Sequence, residues 1–94
     1  MKNKLPAIHP GEFLAEILAE IGVSQAAFAR AAGVSAMRIS HVVTGARPIS
    51  ADLALLFGNA LGQSPEYWLN LQAAYDLATA RNALAGVRQL PQVA

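Results

Sequence analysis

The chain contains no cysteine and only two histidines among its 94 residues. Without cysteine there is no disulfide framework and no thiolate metal site, and two histidines without a carboxylate set are too few for zinc. No glycine-rich phosphate loop follows a strand, so we expect neither a metal nor a cofactor. The lack of cysteine also fits a reducing compartment, and we expect the protein in the cytoplasm.

Charged residues are scarce as well, at 14% of the chain against 54% hydrophobic residues. The longest stretch without a charge, residues 53–65, is too short and too broken by glycine and proline to span a membrane. No apolar segment follows the two N-terminal lysines, so a signal peptide is not expected. The length predicts one domain with one core, and the apolar excess indicates that some surface is buried between subunits.

A catalytic set is also missing. Ser40, His41 and Asp52 supply the residue types of a hydrolase triad, but Ser40 and His41 are adjacent on one predicted helix and do not face each other. Paired carboxylates occur only on an exposed helix face rather than in a cleft. We therefore predict that the protein is not an enzyme.

The most informative stretch is Ser24–Gly45, which has the pattern of two short helices joined by a tight turn. Ser24 and Ser35 are good N-caps, and Gly33 can end the first helix in the left-handed conformation. Gly45 ends the second helix. Two helices of about two turns with glycine in the turn are typical of a helix-turn-helix, whose second helix enters the major groove of DNA.

Apolar residues at helical spacing extend this pattern into five helices, the first opened by Pro10 and the last two capped by Ser50 and Ser64. The expected core stripes are Phe13, Leu14, Ile17, Leu18 and Ile21; Ala27, Phe28, Ala31 and Ala32; Ile39, Val42 and Val43; Leu53, Leu56, Phe57, Ala60 and Leu61; and Trp68, Leu71, Tyr75 and Ala78. We expect a flexible arm over 1–9, an all-α domain over 10–85 with its motif at 24–45, and a loose tail over 86–94.

The charge pattern around the motif favours DNA. Between residues 21 and 51 there is no acidic residue, whereas Arg30, Arg38 and Arg47 lie there. A surface that meets phosphates should be free of carboxylates and supplied with cations. The alternative is a helical hairpin of an ordinary bundle with a few solvated arginines.

The second motif helix keeps an outward face once its core stripe is removed. Its residues are small or capable of hydrogen bonding, and none is acidic: Ala36, Met37, Arg38, Ser40, His41 and Thr44. Arg47 follows in the next loop, where such loops approach the DNA backbone. These residues are the candidate DNA contacts.

Two further helix faces indicate protein partners. Glu12, Glu16 and Glu20 line one face of the first helix, which is either a solvated face, a surface for a basic partner, or a face kept away from DNA. The long fifth helix, expected over Pro65–Ala85, carries a second apolar stripe that predicts a symmetric dimer. This stripe consists of Leu69, Ala73, Leu77, Ala80 and Leu84.

From about Ile8 to Arg81 the chain resembles the HigA-type antitoxins, a branch of the Cro/cI-like (lambda-repressor-like) helix-turn-helix proteins of bacterial toxin–antitoxin operons. The resemblance lies in HPGEFL, in the central motif, and in SPEYWLNLQAAYDLATA. It implies a five-helix Cro/cI-like domain that binds the palindromic operator of its own promoter as a homodimer. It also implies neutralisation of a HigB toxin, a small RelE-like enzyme that cleaves mRNA.

The resemblance implies roles for individual residues. Gln25 would contact a phosphate, and Ser35, Ala36, Met37, Arg38 and His41 would occupy the groove-facing start and flank of the second motif helix. Ala36 and Met37 stand where relatives often carry Arg, Gln or Thr, which leaves Arg38 as the best candidate for reading a guanine. HigB-type toxins are usually basic, so the glutamates at 12, 16 and 20, together with the N-terminal arm, form the expected toxin-binding surface. A stand-alone regulator without a toxin, and an interaction module that has lost DNA binding, remain alternatives.

Overall fold

The computed structural model describes residues 7–84, and within that range the chain forms five helices and no strand. Most of the predicted arm (1–6), the end of the predicted domain (85) and the predicted tail (86–94) lie outside the described residues. The helices are α1 (Pro10–Ile21), α2 (Gln25–Ala32), α3 (Ala36–Val43), α4 (Ala51–Leu61) and α5 (Pro65–Ala83). The predicted all-α, five-helix architecture is confirmed. Of the described helices, none is both long enough and apolar enough to cross a membrane.

Serine caps and glycine stops set most of the helix boundaries, as predicted. The Oγ atoms of Ser24, Ser35 and Ser64 each accept the backbone N–H three residues on, at 3.0, 3.1 and 3.3 Å. Helices α1, α2 and α4 end at glycines in the left-handed conformation. The end of α3 differs by one residue, because Thr44 is the C-cap and the left-handed Gly45 follows it.

The core is one cluster centred on aromatic contacts between helices. The rings of Phe28 and Phe57 meet edge to face at 5.2 Å, and those of Phe57 and Trp68 at 5.4 Å. The buried apolar residues are Leu14, Leu18, Phe28, Ala29, Ala32, Ile39, Val42, Ile49, Leu53, Ala54, Phe57 and Trp68.

Three residues of the predicted stripes lie on the surface. Ile21, Ala31 and Ala60 are exposed, whereas Ala29 and Ala54, absent from the prediction, are buried. The reason is geometric, since each helix turns only a narrow face inward and the next residue in an apolar run points past it. The prediction was therefore wrong at these three positions.

The start of α1 packs on the end of α3, and His9 belongs to this contact. His9 is buried, its Nδ1 accepts the Gly11 N–H at 2.9 Å, and its ring meets that of Tyr75 edge to face at 4.9 Å. Gly45 also lies close to the imidazole, since a Cβ atom built on it would be 3.7 Å from His9 Cγ. His9 is thus the N-cap of α1 and part of the folded domain, a correction to the expected arm boundary at residue 9.

Candidate nucleic-acid interface

Helices α2 and α3 form the helix-turn-helix, and α3 is held with one face inward by Ile39 and Val42, which are fully buried. All nine predicted DNA-contact residues lie outside the core. Gln25, Ser35, Ala36, Met37, Arg38, Thr44 and Arg47 are exposed, and Ser40 and His41 are half-buried. Packing therefore leaves this face of α3 available to a ligand.

The first turn of α3 presents a mixed apolar and polar surface. Met37 is 67% exposed, the largest fraction among the exposed large apolar side chains of residues 7–84. At the other end of the helix, the Thr44 hydroxyl donates to the carbonyl of His41 at 3.3 Å, so its donor is used within the chain. Ala36 and Met37 offer apolar contacts of the kind that fit a thymine methyl group.

Arg38 of α3 forms an ion pair with Asp52, the second residue of α4. One guanidinium Nη atom lies 2.9 Å from the Asp52 carboxylate, and the two side chains are 43% and 62% exposed. Hydrogen bonds from the Ser50 hydroxyl and from Arg38 lower the pKa of Asp52 from its ordinary 3.8 to about 2. The carboxylate therefore stays charged beside the arginine at any neutral pH.

This pair corrects the expected charge distribution. The acid-free window ends one residue before Asp52, and the fold returns that carboxylate to Arg38, 14 positions earlier in the chain. The surface around α3 therefore carries one carboxylate, although the helix-turn-helix motif itself contains no acidic residue. Spacing along the sequence gave no signal for this contact, because it joins two different helices.

A shallow cavity of about 170 Å³ adjoins the pair and is lined by Arg38, Arg47, Pro48, Ser50 and Leu53. Two of these five side chains are cationic, but the Asp52 carboxylate offsets the charge of Arg38, so the net positive charge near the N-terminal end of α4 comes from Arg47. Anions are stabilised near such helix starts and guanidinium groups. The arrangement suits a phosphate of a DNA backbone running past α3.

The loop that carries Arg47 is held by a hydrogen bond to a buried residue of α5. Gln72 is buried, its Oε1 accepts the Ile49 N–H at 2.7 Å, and its Nε2 donates to Asp76 at 3.0 Å. A buried amide that satisfies a loop N–H holds that loop in place. Sequence reasoning missed Gln72, whose only signal was a polar residue on the inward side of α5.

A groove between α1 and α5 forms a second surface, with a volume of about 520 Å³. Phe13, Ile17 and Tyr67 supply apolar walls, and Glu16 and Glu20 border the opening. Glu12 is exposed on the same helix but does not line the groove. Among residues 7–84 the one ion pair joins Arg38 to Asp52, so these glutamates have no cationic partner there.

The second stripe of α5 is exposed along its length, as expected for a face outside the core of one chain. Leu69, Leu77 and Leu84 are large apolar side chains on this face, with Ala73 and Ala80 between them. Within the described part of the chain, no three His, Asp or Glu residues come together as metal ligands would.

The chain is similar in sequence to several known helix-turn-helix proteins. The helix-turn-helix family matches residues 14–68, more than half of the chain. Virulence-associated protein I of Dichelobacter nodosus is 48% identical over 80 residues, which cover 84% of this chain and 74% of that protein. Antitoxin HigA-1 of Vibrio cholerae is 38% identical over 82 residues, covering 86% and 77%.

A solved structure extends the likeness to a DNA complex. The Pseudomonas aeruginosa antitoxin HigA, determined with the higBA promoter, has a TM-score of 0.82 and 41% identity to this chain. The match covers 92% of this chain and all of the HigA chain. It therefore includes α5 as well as the helix-turn-helix.

Proposed function

The chain belongs to the helix-turn-helix family and, within it, to the HigA-type antitoxins, and from that premise we propose that it represses its own promoter and neutralises a toxin. Proteins of this family are DNA-binding regulators and not enzymes. In this proposal the protein is a cytoplasmic homodimer that binds a palindromic operator through α3. A HigB-type, RelE-like mRNA-cleaving toxin binds elsewhere on the same dimer.

The observation that carries the DNA-binding proposal is the outward face of α3. Arg38 and Arg47 lie at one cavity on this face, next to the exposed and uncharged Ala36 and Met37. The HigA structure determined with its promoter shares this fold over 92% of the chain. An exposed face with two arginines on a helix-turn-helix is what contact with a major groove requires.

We assign the residues of this face to separate tasks. Arg38 reads a guanine through two hydrogen bonds, and Ala36 and Met37 contact thymine methyl groups. Gln25, Ser35 and Arg47 contact the phosphate backbone and set the register. Ser40, His41 and Thr44 flank the groove on the side of α3 that leads into the loop.

A fluorescence anisotropy titration tests DNA binding, with duplexes from the protein's own promoter and scrambled duplexes of equal length at two salt concentrations. We expect a preference for a palindrome with half-sites about one helical turn (~34–36 Å) apart, and a steep loss of affinity with salt. Equal affinity for both duplexes, or no binding at low salt, would mean that the fold serves protein partners alone.

Arg47 and Arg81 offer a matched pair of arginines for the same titration. Arg47→Ala should weaken binding to promoter and scrambled DNA alike and flatten the salt dependence, since Arg47 contacts the backbone. Arg81→Ala, in the last turn of α5, removes the same charge away from α3 and should leave both affinities nearly unchanged.

The toxin-binding proposal rests on the groove between α1 and α5. Its apolar walls can receive the apolar side of a partner segment, while Glu16 and Glu20 at the opening, with Glu12 nearby, complement a basic protein. The groove shares no lining residue with the α3 face. Toxin and DNA therefore have separate sites in this proposal.

A small basic open reading frame beside this gene would supply the toxin for a binding assay. Glu16→Lys should weaken toxin binding by at least tenfold through like-charge repulsion, with promoter affinity not reduced. Glu66→Lys changes the net charge equally at a position that does not line the groove, and should retain toxin binding. The absence of any such reading frame would favour the stand-alone regulator.

A further inference from the structure

We infer that Asp52 is a positioning residue that determines the base specificity of the α3 face by holding the guanidinium group of Arg38. The inference rests on the proposed function, since it concerns how the operator is read. It assigns to α4, which lies outside the helix-turn-helix, a part in sequence recognition. The acid acts through the arginine and does not itself need to touch a base.

The geometry of the pair leaves Arg38 able to read a base while it is held. A single Nη2 atom meets Asp52 Oδ2 at 2.9 Å. A guanidinium group carries five N–H donors in a rigid plane, and a guanine edge requires two of them. The other edge of Arg38 therefore remains free, and the ion pair restricts the positions that this edge can take.

Asp52 is itself fixed by the fold rather than by Arg38 alone. Its second carboxylate oxygen, Oδ1, accepts the hydroxyl of Ser50, the N-cap residue of α4. The adjacent Ile49 is buried, and its N–H is bound by Gln72 of α5. This series of contacts connects the core to the arginine, so that Arg38 is oriented before DNA arrives and loses less side-chain freedom on binding.

A carboxylate in this position works against binding to DNA in general. It repels phosphates, and exposed ion pairs in water contribute little to folding. A carboxylate that serves only as surface charge would weaken binding to all sequences by the same factor. One that orients Arg38 would instead increase the ratio between affinity for the operator and affinity for other DNA.

The test uses a duplex that the wild-type protein selects from a random-sequence pool, with its scrambled counterpart and all single base-pair variants. Asp52→Asn should bind scrambled DNA more tightly, because a negative charge is lost, yet lower the ratio of selected to scrambled affinity by about tenfold. The loss should be concentrated at one base pair of each half-site. Glu66→Gln, the matched first-turn acid of α5, should leave the ratio unchanged.

A double-mutant cycle separates positioning from other roles. In an Arg38→Ala background, Asp52→Asn should change the ratio by less than twofold, since the group that it orients is gone. Asp52→Glu, which retains the carboxylate, should keep more of the ratio than Asp52→Asn. If thermal melting shows Asp52→Asn to be unfolded, Asp52→Ser, which also removes the charge, replaces it in the cycle.

Three results would overturn the inference. The first is that Asp52→Asn changes both affinities by one factor and preserves the ratio, in which case Asp52 is only a repulsive charge. The second is an equal fall of the ratio with and without Arg38. The third is a wild-type protein that selects no sequence at all, which would refute the proposed operator binding and this inference with it.

Discussion

At Gly11 the backbone of α1 comes directly against the backbone of α3. A Cβ atom built on this residue would lie 1.9 Å from the carbonyl oxygen of Val42 and 2.7 Å from its carbonyl carbon. The segment HPGE therefore combines a cap (His9), a helix start (Pro10) and a contact that only glycine permits. The residue type at 11 fixes how closely the two helices approach.

We expect Gly11→Ala to destabilise the domain by roughly 3 kcal/mol, at the upper end of the cost of overpacking, since both atoms it meets are backbone. Chemical denaturation would measure the loss. Gly22→Ala at the other end of α1 is the control, because a Cβ there meets nothing within 4 Å and costs about 1 kcal/mol of left-handed strain. Equal losses in both variants would show that α1 and α3 do not press together at Gly11.

Because the pKa of Asp52 is lowered in the folded protein, the free energy of unfolding should depend on pH in the acid range. A carboxyl with a pKa of about 2 when folded and an ordinary value of 3.8 contributes to stability above that ordinary value, and the contribution is lost as the pH falls towards 2. The difference in unfolding free energy between wild type and Asp52→Asn is small because the pair is exposed, and it should shrink further between about pH 5 and pH 3. Urea denaturation at both pH values measures it, and a constant difference would contradict the assigned hydrogen bonds from Ser50 and Arg38.

Among the elements, α5 has a buried polar contact that supports the loop of Arg47, which is proposed to contact DNA. We expect Gln72→Met to leave the Ile49 N–H unsatisfied in the core, at a cost of about 1–3 kcal/mol. Promoter affinity should fall as well, since Arg47 and Ser50 lie close to Ile49 in the same loop. Thermal melting and anisotropy titration measure the two effects.

Gln63→Met is the matched control for this prediction. It removes the hydrogen bond from Trp68 Nε1, 2.9 Å long, without touching the loop. It should lower stability while leaving promoter affinity of the folded protein unchanged. If both variants reduce affinity equally, the loop does not depend on Gln72.

The elements themselves could be predicted from local sequence, because the signals are local. A serine cap satisfies N–H groups two or three residues away, and a glycine stop acts within its own turn, so Ser24, Gly33 and Ser35 mark the helix-turn-helix without any tertiary information. The errors occurred where tertiary packing decides. Ala31 is exposed and Ala29 is buried, and no local rule distinguishes two alanines of one short helix.

The site was predictable only in part, for the same reason. The outward face of α3 follows from subtracting its core stripe, and all nine candidate residues lie outside the core. The contacts that organise this face do not follow, since Arg38–Asp52 and Ile49–Gln72 join residues 14 and 23 positions apart. The exposed face could therefore be predicted from the sequence, whereas the contacts that hold its residues in place could only be seen in the fold.

At the scale of the whole molecule, three surfaces use different residues, although two of them share α5. The α3 face with Arg38 and Arg47 is proposed for DNA, the groove between α1 and α5 for a toxin, and the second stripe of α5 for a second copy of the chain. The proposed palindromic operator requires a two-fold protein, so in this proposal the third surface determines the affinity of the first for DNA.

We propose that the exposed stripe of α5 is that dimer contact, and Leu77→Glu tests it. Leu77 is 51% exposed near the middle of the stripe, and a charge there would have to be buried at the interface. Analytical ultracentrifugation should show a folded monomer, and promoter affinity should fall at least tenfold because each chain then binds one half-site alone.

Leu55 of α4 provides the control, since it is 56% exposed and lies outside the stripe. Leu55→Glu should sediment as the wild type does and retain its promoter affinity. A dimer that survives Leu77→Glu but dissociates with Leu55→Glu would move the interface to α4. In that case α4 would carry both the subunit contact and the acid that holds Arg38, and dimerisation would act directly on the residue proposed to read the operator.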